Sequence, residues 1–189
     1  MFRHRTALPL PIAAAILAIP AEVGGGGVVT AVAGIALTAT GEAIRLWGVR
    51  HIGAISRTRS ERLGPLVDSG PFAYVRNPLY IGNVLLWVGF ALTARLWWLA
   101  PIVLVLLAAQ YHAIVGWEER LLVQRIGDPY CNYMRRVPRW IPKIERREKE
   151  FSARSANSAF NWRATFFSER GTLIAMAAGY LLLWLKARF

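Results

Sequence analysis

The run Arg76-Asn77-Pro78-Leu79-Tyr80-Ile81-Gly82 brings together residue types that can hold an anion. Asn77 suits a helix N-cap. Pro78 suits the first helical position, where its fixed φ helps and its missing N–H would have had no partner. The N–H groups of Leu79 and Tyr80 then point outward at the positive end of the helix dipole, beside the charge of Arg76. A carboxylate or phosphate is the expected occupant.

A second group has the opposite sign. Trp117-Glu118-Glu119-Arg120 closes an apolar run with two adjacent carboxylates. A solvated, amphipathic helix extension reaching Ile126 accounts for them structurally, although glutamates at a helix C-terminus oppose the dipole. The functional reading is that they bind a cation or a ribose edge. His112, in the same apolar run, can take a proton from an ammonium substrate, but a lone histidine in a span is more often a packing residue. Glu42 and Arg45 share a helical face and can pair. Charge within a span marks function by default, and near a helix end snorkelling explains it equally well.

The elements that position these groups are membrane helices. The chain has 189 residues, 55% of them hydrophobic, with eight Trp and a net charge of +12. Arg and Lys crowd 50–76 and 120–170, between apolar runs and without a stacking motif or recognition fold, so they are topology signals and not a nucleic-acid surface. The other side keeps only Arg95, Lys186 and Arg188. Both long loops are therefore expected in the cytoplasm. Cys131, the single cysteine, excludes an intrachain disulfide and a thiolate metal cluster, and no metal site is expected.

In chain order, residues 1–49 carry two spans. The first, from about Ala7 to Val23, tolerates Pro9, Pro11 and Pro20 as a membrane helix can, and is read as retained and not as a cleaved signal. Gly24 to Gly27 form a turn, and the second span runs from Val28 to about Val49. Residues 50–142 form the core: a polar loop, a hairpin of two spans over 79–117 with Trp97 and Trp98 at the interface, and a lid over 118–142 rich in aromatic residues and proline. Gly127-Asp128-Pro129 ends the helix before the lid. Residues 143–189 comprise a basic surface segment, to 165, and a fifth span over Thr172–Leu185. The expected fold is an all-α integral membrane protein of about five transmembrane helices with a cytoplasmic cofactor-binding loop and a C-terminal lid.

Three stretches together resemble a family: Ser69-Gly70-Pro71-Phe72-Ala73-Tyr74-Val75 continuing through Gly82, the Glu118-Glu119 pair, and Gly127-Asp128-Pro129-Tyr130 through Val137-Pro138-Arg139-Trp140-Ile141-Pro142. In order and spacing they are similar to the integral-membrane isoprenylcysteine carboxyl methyltransferases and the related phospholipid N-methyltransferases. The resemblance covers residues 60–142.

What the resemblance implies is an S-adenosylmethionine site. Gly64, Pro65, Leu66 and Val67 would line the cofactor, and Phe72 stands where the carboxyl methyltransferases have Tyr. Asn77, Pro78, Leu79 and Tyr80 replace a His-Pro-x-Tyr element, and the cofactor-contacting Glu falls on Glu118, with Glu119 beside it. Arg76 and His112 are the candidates for a catalytic role. Ile114 stands where the carboxyl methyltransferases place a substrate-binding Arg, which weighs against a prenylcysteine carboxylate and leaves a lipid amine or another apolar nucleophile open. The expected partner is a lipid-like substrate in a bacterial inner membrane, with the site facing the cytoplasm. Two other readings stand beside it: an NADPH-binding protein like the sterol reductases, and a membrane scaffold without catalysis.

Overall fold

The computed structural model describes residues 9–21, 27–52, 66–143 and 161–188, and every regular element among them is helical. The helices are α1 (Pro9–Ala18), α2 (Gly27–Ile52), α3 (Pro78–Thr93), α4 (Leu99–Ile126), α5 (Asp128–Arg136) and α6 (Trp162–Lys186), with a 3-10 turn at Gly70–Ala73 before α3. Gly64 and Pro65 lie outside the described residues, as do 144–160 of the basic segment.

α2 and α4, of 26 and 28 residues, are long and apolar enough to cross a membrane. Only 22% and 33% of their apolar windows are buried, far less than the core helix of a soluble protein would show. Val28, Val29 and Val32 of α2 and Leu104 and Val105 of α4 are exposed, a surface suited to lipid. α1 and α3, at 10 and 16 residues, are shorter. Among the described residues of the apolar run read from Ala7 to Val23, α1 is the helix: its last helical bond is Ile19 N–H to Ala15 C=O, and Pro20 follows. The C-terminal helix departs the other way, starting at Trp162 and not Thr172. Asn161 caps it, its Oδ1 accepting from the Ala164 N–H at 2.7 Å, so Trp162 to Thr165, read as the end of the basic segment, are already helical.

The chain divides into two compact units. One comprises Met1–Glu42, Asn83–Tyr111 and Thr172–Phe189. Within it α2 and α3 approach closely through glycine: a Cβ on Gly34 would stand 2.5 Å from the Thr93 amide nitrogen and 2.6 Å from the Gly89 carbonyl oxygen. Thr38 and Thr93 return their hydroxyl protons to carbonyls of their own helices, Gly34 and Gly89, both at 2.9 Å. Phe90 packs on Tyr180 with ring centroids 4.9 Å apart, and Lys186 donates to the Ile16 carbonyl at 2.7 Å and to that of Ile19, satisfying the open end of α1.

α3 ends in a Schellman turn. Leu96 N–H donates to Ala91 C=O at 3.0 Å and Arg95 N–H to Leu92 C=O at 2.9 Å, with Arg95 at φ 59 in the left-handed position usually held by glycine. Leu96 and Ala91 are both fully buried beneath it.

The other unit comprises Ala43–Gly82 and His112–Gly171. Its core includes Tyr130, Tyr133 and Val137, packed against Leu66, Leu122, Val123, Ile126 and Met134. Gly127, at φ 71, makes the corner between α4 and α5 that folds this cluster back on α4. Arg45 of α2 pairs with the buried Glu169 of α6, and the Arg50 guanidinium lies 4.4 Å from the Trp162 ring centroid.

Candidate functional site

α4 runs unbroken past Glu118 and Glu119 for two further turns to Ile126, so the two carboxylates are interior to a helix and the dipole objection to them falls away. Successive residues on a helix project about 100° apart, so the two face different partners. The Tyr80 hydroxyl, in the first turn of α3, donates to both carboxylate oxygens of Glu118 at 3.0 Å. Glu119, buried, takes Arg76 Nη1 at 3.3 Å on Oε1 and Arg139 on both oxygens, through Nε at 3.2 Å and through Nη2. Two guanidiniums on one carboxylate satisfy a group that would be costly to bury alone.

The lid and the residue that follows it are tied at three points to the segment leading into α3. Arg76 N–H donates to Pro138 C=O at 2.9 Å, the Asn77 side-chain amide donates to Arg139 C=O at 3.3 Å, and Lys143 N–H donates to Tyr74 C=O at 3.1 Å. Asn77 also stands at the N-cap position, its own carbonyl accepting from the Ile81 N–H at 3.3 Å. The Tyr133 hydroxyl donates to Phe72 C=O at 2.8 Å, fixing the 3-10 turn to α5.

Burial, and then the neighbouring Glu119 carboxylate, push the Tyr130 phenol up to about 12, with Arg76 pulling the other way. Tyr133 is pushed up further, mainly by burial and then by Tyr130. Both phenols are therefore neutral at physiological pH. Beside this bridge, and sharing Glu119 and Arg139 with it, opens a cleft of about 740 Å³ lined also by His112, Ala113, Gly116, Arg120, Val123, Gln124 and Met134. Trp140 flanks His112, its indole N–H donating to Nδ1 at 3.4 Å with the rings stacked.

Residues 29–128, which are 100 of the 189, match the phospholipid methyltransferase family. The chain belongs to that family. It is a membrane methyltransferase family, in keeping with the apolar lengths of α2 and α4. The chain is also similar to the nickel-cobalt-cadmium resistance protein NccN of Alcaligenes xylosoxydans xylosoxydans, 30% identical over 100 residues that cover 53% of this chain and 44% of that protein. It is 27% identical over 111 residues to the cobalt-zinc-cadmium resistance protein CzcN of Cupriavidus metallidurans, covering 59% and 47% respectively. The chain spans about half the length of these relatives. No solved structure matches it.

Within this phospholipid methyltransferase family member, Tyr80 pairs with Glu118, while Arg76 and Asn77 meet Glu119 and Arg139 in a second group anchored on the next residue of α4. Phe72, Pro78 and Leu79 pack inward: Phe72 and Pro78 are buried, and Leu79 lies against Gly48 of α2. Leu66 joins the tyrosine cluster and Val67 is half-buried in the loop before the 3-10 turn. His112 has no hydrogen bond to these groups among the described residues and lines the cleft together with Glu119 and Arg139. Tyr130, Tyr133 and Trp140, expected in the lid, lie at the site, and Arg139 joins them without a role having been expected of it. For the tyrosines a signal was present, since Tyr130, Tyr133 and Val137 follow the i, i+3, i+7 spacing of a buried helical stripe.

Proposed function

We propose that this chain is an S-adenosylmethionine-dependent methyltransferase that acts on a lipid or other apolar membrane substrate, transferring the methyl directly to an oxygen or nitrogen acceptor. The observation that carries the reading is the pairing of Tyr80 with Glu118 beside the Arg76–Glu119–Arg139 bridge. Two guanidiniums and two carboxylates side by side offer both signs to a zwitterion, which suits the amino-acid end of this cofactor. Glu118, oriented by Tyr80, would hold the ammonium or ribose hydroxyls, and Arg76 with Arg139 the carboxylate. Gly64, Pro65, Leu66, Val67 and Phe72 would line the remainder.

When bound, S-adenosylmethionine supplies a methyl carbon already activated by its sulfonium, so this chain's own residues have to align the partners and exclude water. Glu119 holds Arg76 and Arg139 in place, and the tie from Arg139 C=O to Asn77 closes the lid over the start of α3. The catalytic core is the segment 50–142, in a five-span protein whose site faces the cytoplasm of a bacterial inner membrane. The metal-resistance names of the relatives add a physiological setting, which growth of a deletion strain in cobalt or cadmium tests.

The direct experiment incubates the purified protein with methyl-labelled S-adenosylmethionine and total membrane lipids. Label in a lipid product supports the proposal. Saturable NADPH binding without S-adenosylmethionine binding would replace it with the reductase reading, and binding of neither with the scaffold reading.

A further inference from the structure

We propose that the tip of the lid docks on the bilayer, with Ile141 set at the boundary between head groups and acyl chains in the leaflet from which α4 emerges. The proposal concerns an interaction surface and does not depend on methyl transfer.

The chain after α5 turns back along α4 toward the membrane. α4 has 28 residues, about 42 Å at 1.5 Å per residue, against roughly 30 Å of hydrocarbon, so about eight of its residues must emerge. Trp97 and Trp98 precede its first turn and suit the opposite interface, so the emerging end is the one that carries Glu119 to Ile126. α5 starts at that far end. From there the chain returns: Arg139 reaches Glu119, and Trp140 reaches His112, which lies about two turns nearer the membrane. At Lys143 the chain has left α4 again, its N–H donating to the Tyr74 carbonyl ahead of α3 at 3.1 Å. Residues 140–142 therefore form a dip, and Ile141 sits at the bottom of it beside Trp140.

Ile141 is 80% exposed, more than any other large apolar side chain among the described residues. The preceding helix does not share this: α5 turns Tyr130, Tyr133 and Val137 inward and leaves Asp128, Asn132, Arg135 and Arg136 outside, as a helix facing water does. Arg136 and Lys143, both exposed, stand on either side of the dip. Their long stems let the charges stay among the head groups, anionic ones above all, while the tip sits lower. The depth has a limit. Residues 139–141 are bends and not helix, and an irregular backbone cannot carry its polar groups into the hydrocarbon core. Pro138 and Pro142 bring no N–H, which eases a shallow position, within about 5–10 Å of the boundary, as for other interfacial segments. One isoleucine with an exposed proline is too little apolar area to hold a protein partner, whereas the bilayer around α4 is already in place.

The test uses the full chain with its single cysteine replaced, Cys131→Ser, and one introduced cysteine carrying bimane, in vesicles of phosphatidylcholine and phosphatidylglycerol in equal parts. Ile141→Cys is compared with Asn132→Cys, on the outer face of α5, and with Val105→Cys, 65% exposed in the apolar part of α4. The quenchers are aqueous iodide and phosphatidylcholine spin-labelled either near the top of its acyl chains or near their ends. The Ile141→Cys label is expected to lose about half its emission to the upper spin label and several times less to iodide than the Asn132→Cys label does. Asn132→Cys should respond mainly to iodide, and Val105→Cys mainly to the lower spin label. Melting curves in detergent confirm folding, and because Ile141 is exposed a cysteine there removes no packing. Iodide quenching at 141 as strong as at 132, without quenching by either lipid, places the tip in water and overturns the proposal. Protection from iodide and both lipids places it against protein, from this chain or a second copy, and also overturns it. S-adenosylmethionine binding takes no part in these readings, so the docking surface and the methyl-transfer reading fail separately.

Discussion

The Tyr80 hydroxyl donates at 3.0 Å to both oxygens of Glu118, joining the first turn of α3 to the interior of α4. A carboxylate that accepts one proton on both oxygens is held in orientation by it. Tyr80→Phe keeps the ring and removes that hydrogen bond. A hydrogen bond to a charged group is worth about 1.5–3 kcal/mol, so the variant is expected to bind S-adenosylhomocysteine at least severalfold more weakly, and Glu118→Ala more weakly still. Isothermal titration at fixed pH and salt, with melting curves to confirm folding, makes the comparison. Parent-like affinity in both variants would return Glu118 to the role of a helix residue with a local partner.

Arg45 and Glu169 make a different kind of pair, with side chains 13% and 2% exposed. Removing either side chain takes from the other a partner that offsets its burial, at a cost of up to about 3–5 kcal/mol. Glu169→Leu and Arg45→Met are therefore each expected to lower stability strongly, while the double variant recovers much of the loss. Unfolding in detergent across this double-mutant cycle measures the coupling, and additive single effects would show that the pair is not coupled.

Local signals were legible in the sequence and distant pairings were not. Asn77-Pro78 marks the start of α3, and Gly127 with Asp128-Pro129 marks the end of α4, because capping and turn chemistry are written into neighbouring residues. Glu118 and Tyr80 were both singled out, but not their contact with each other. α5 was hidden among the prolines and aromatics of the lid, although its tyrosines keep helical spacing. Arg139 could not be read as a partner of Glu119, since that pairing depends on the Gly127 corner bringing the chain back along α4. Ile114, at a position where a cation was sought, gave no hint that Arg120 and Arg139 would bring cations to the same helix from other directions.

The Schellman turn after α3 gives a prediction about the hairpin. Arg95 holds φ 59 without the freedom of glycine, which costs roughly 1–2 kcal/mol in an L-residue. Arg95→Gly relieves that strain but loosens the unfolded chain, so a net gain of up to about 1 kcal/mol is expected. A lower melting temperature for Arg95→Gly would show that the guanidinium contributes more there than the backbone conformation costs.

Two glycines of the membrane helices should respond oppositely to alanine. Gly34→Ala drives a Cβ into backbone atoms of α3 at 2.5 and 2.6 Å, so the helices must separate, at a cost of about 1–3 kcal/mol. Gly116→Ala meets nothing within 4 Å and gains helix propensity of about 1 kcal/mol. Unfolding midpoints that move the same way in both would contradict the close approach of α2 and α3.

The tyrosine cluster sets an alkaline limit on the lid. Tyr130 is raised to about 12 by burial and by Glu119, above the unfolded value near 10, so between those pH values the folded chain holds a proton that the unfolded chain has released. Its contribution to stability is complete below about pH 10 and is lost as the pH rises toward 12, with Tyr133 shifted the same way. Ionising Tyr133 would also cost the hydroxyl its donation to Phe72 C=O. Melting temperature measured from pH 9 to 12 should therefore fall less steeply for Tyr130→Phe than for the parent. Phenolate absorbance supplies the matching readout, since the signal missing from the variant should arise well above pH 10. If that signal arises near pH 10 and the two melting profiles coincide, Tyr130 is neither buried nor beside Glu119, and the packing of α5 on α4 is wrong.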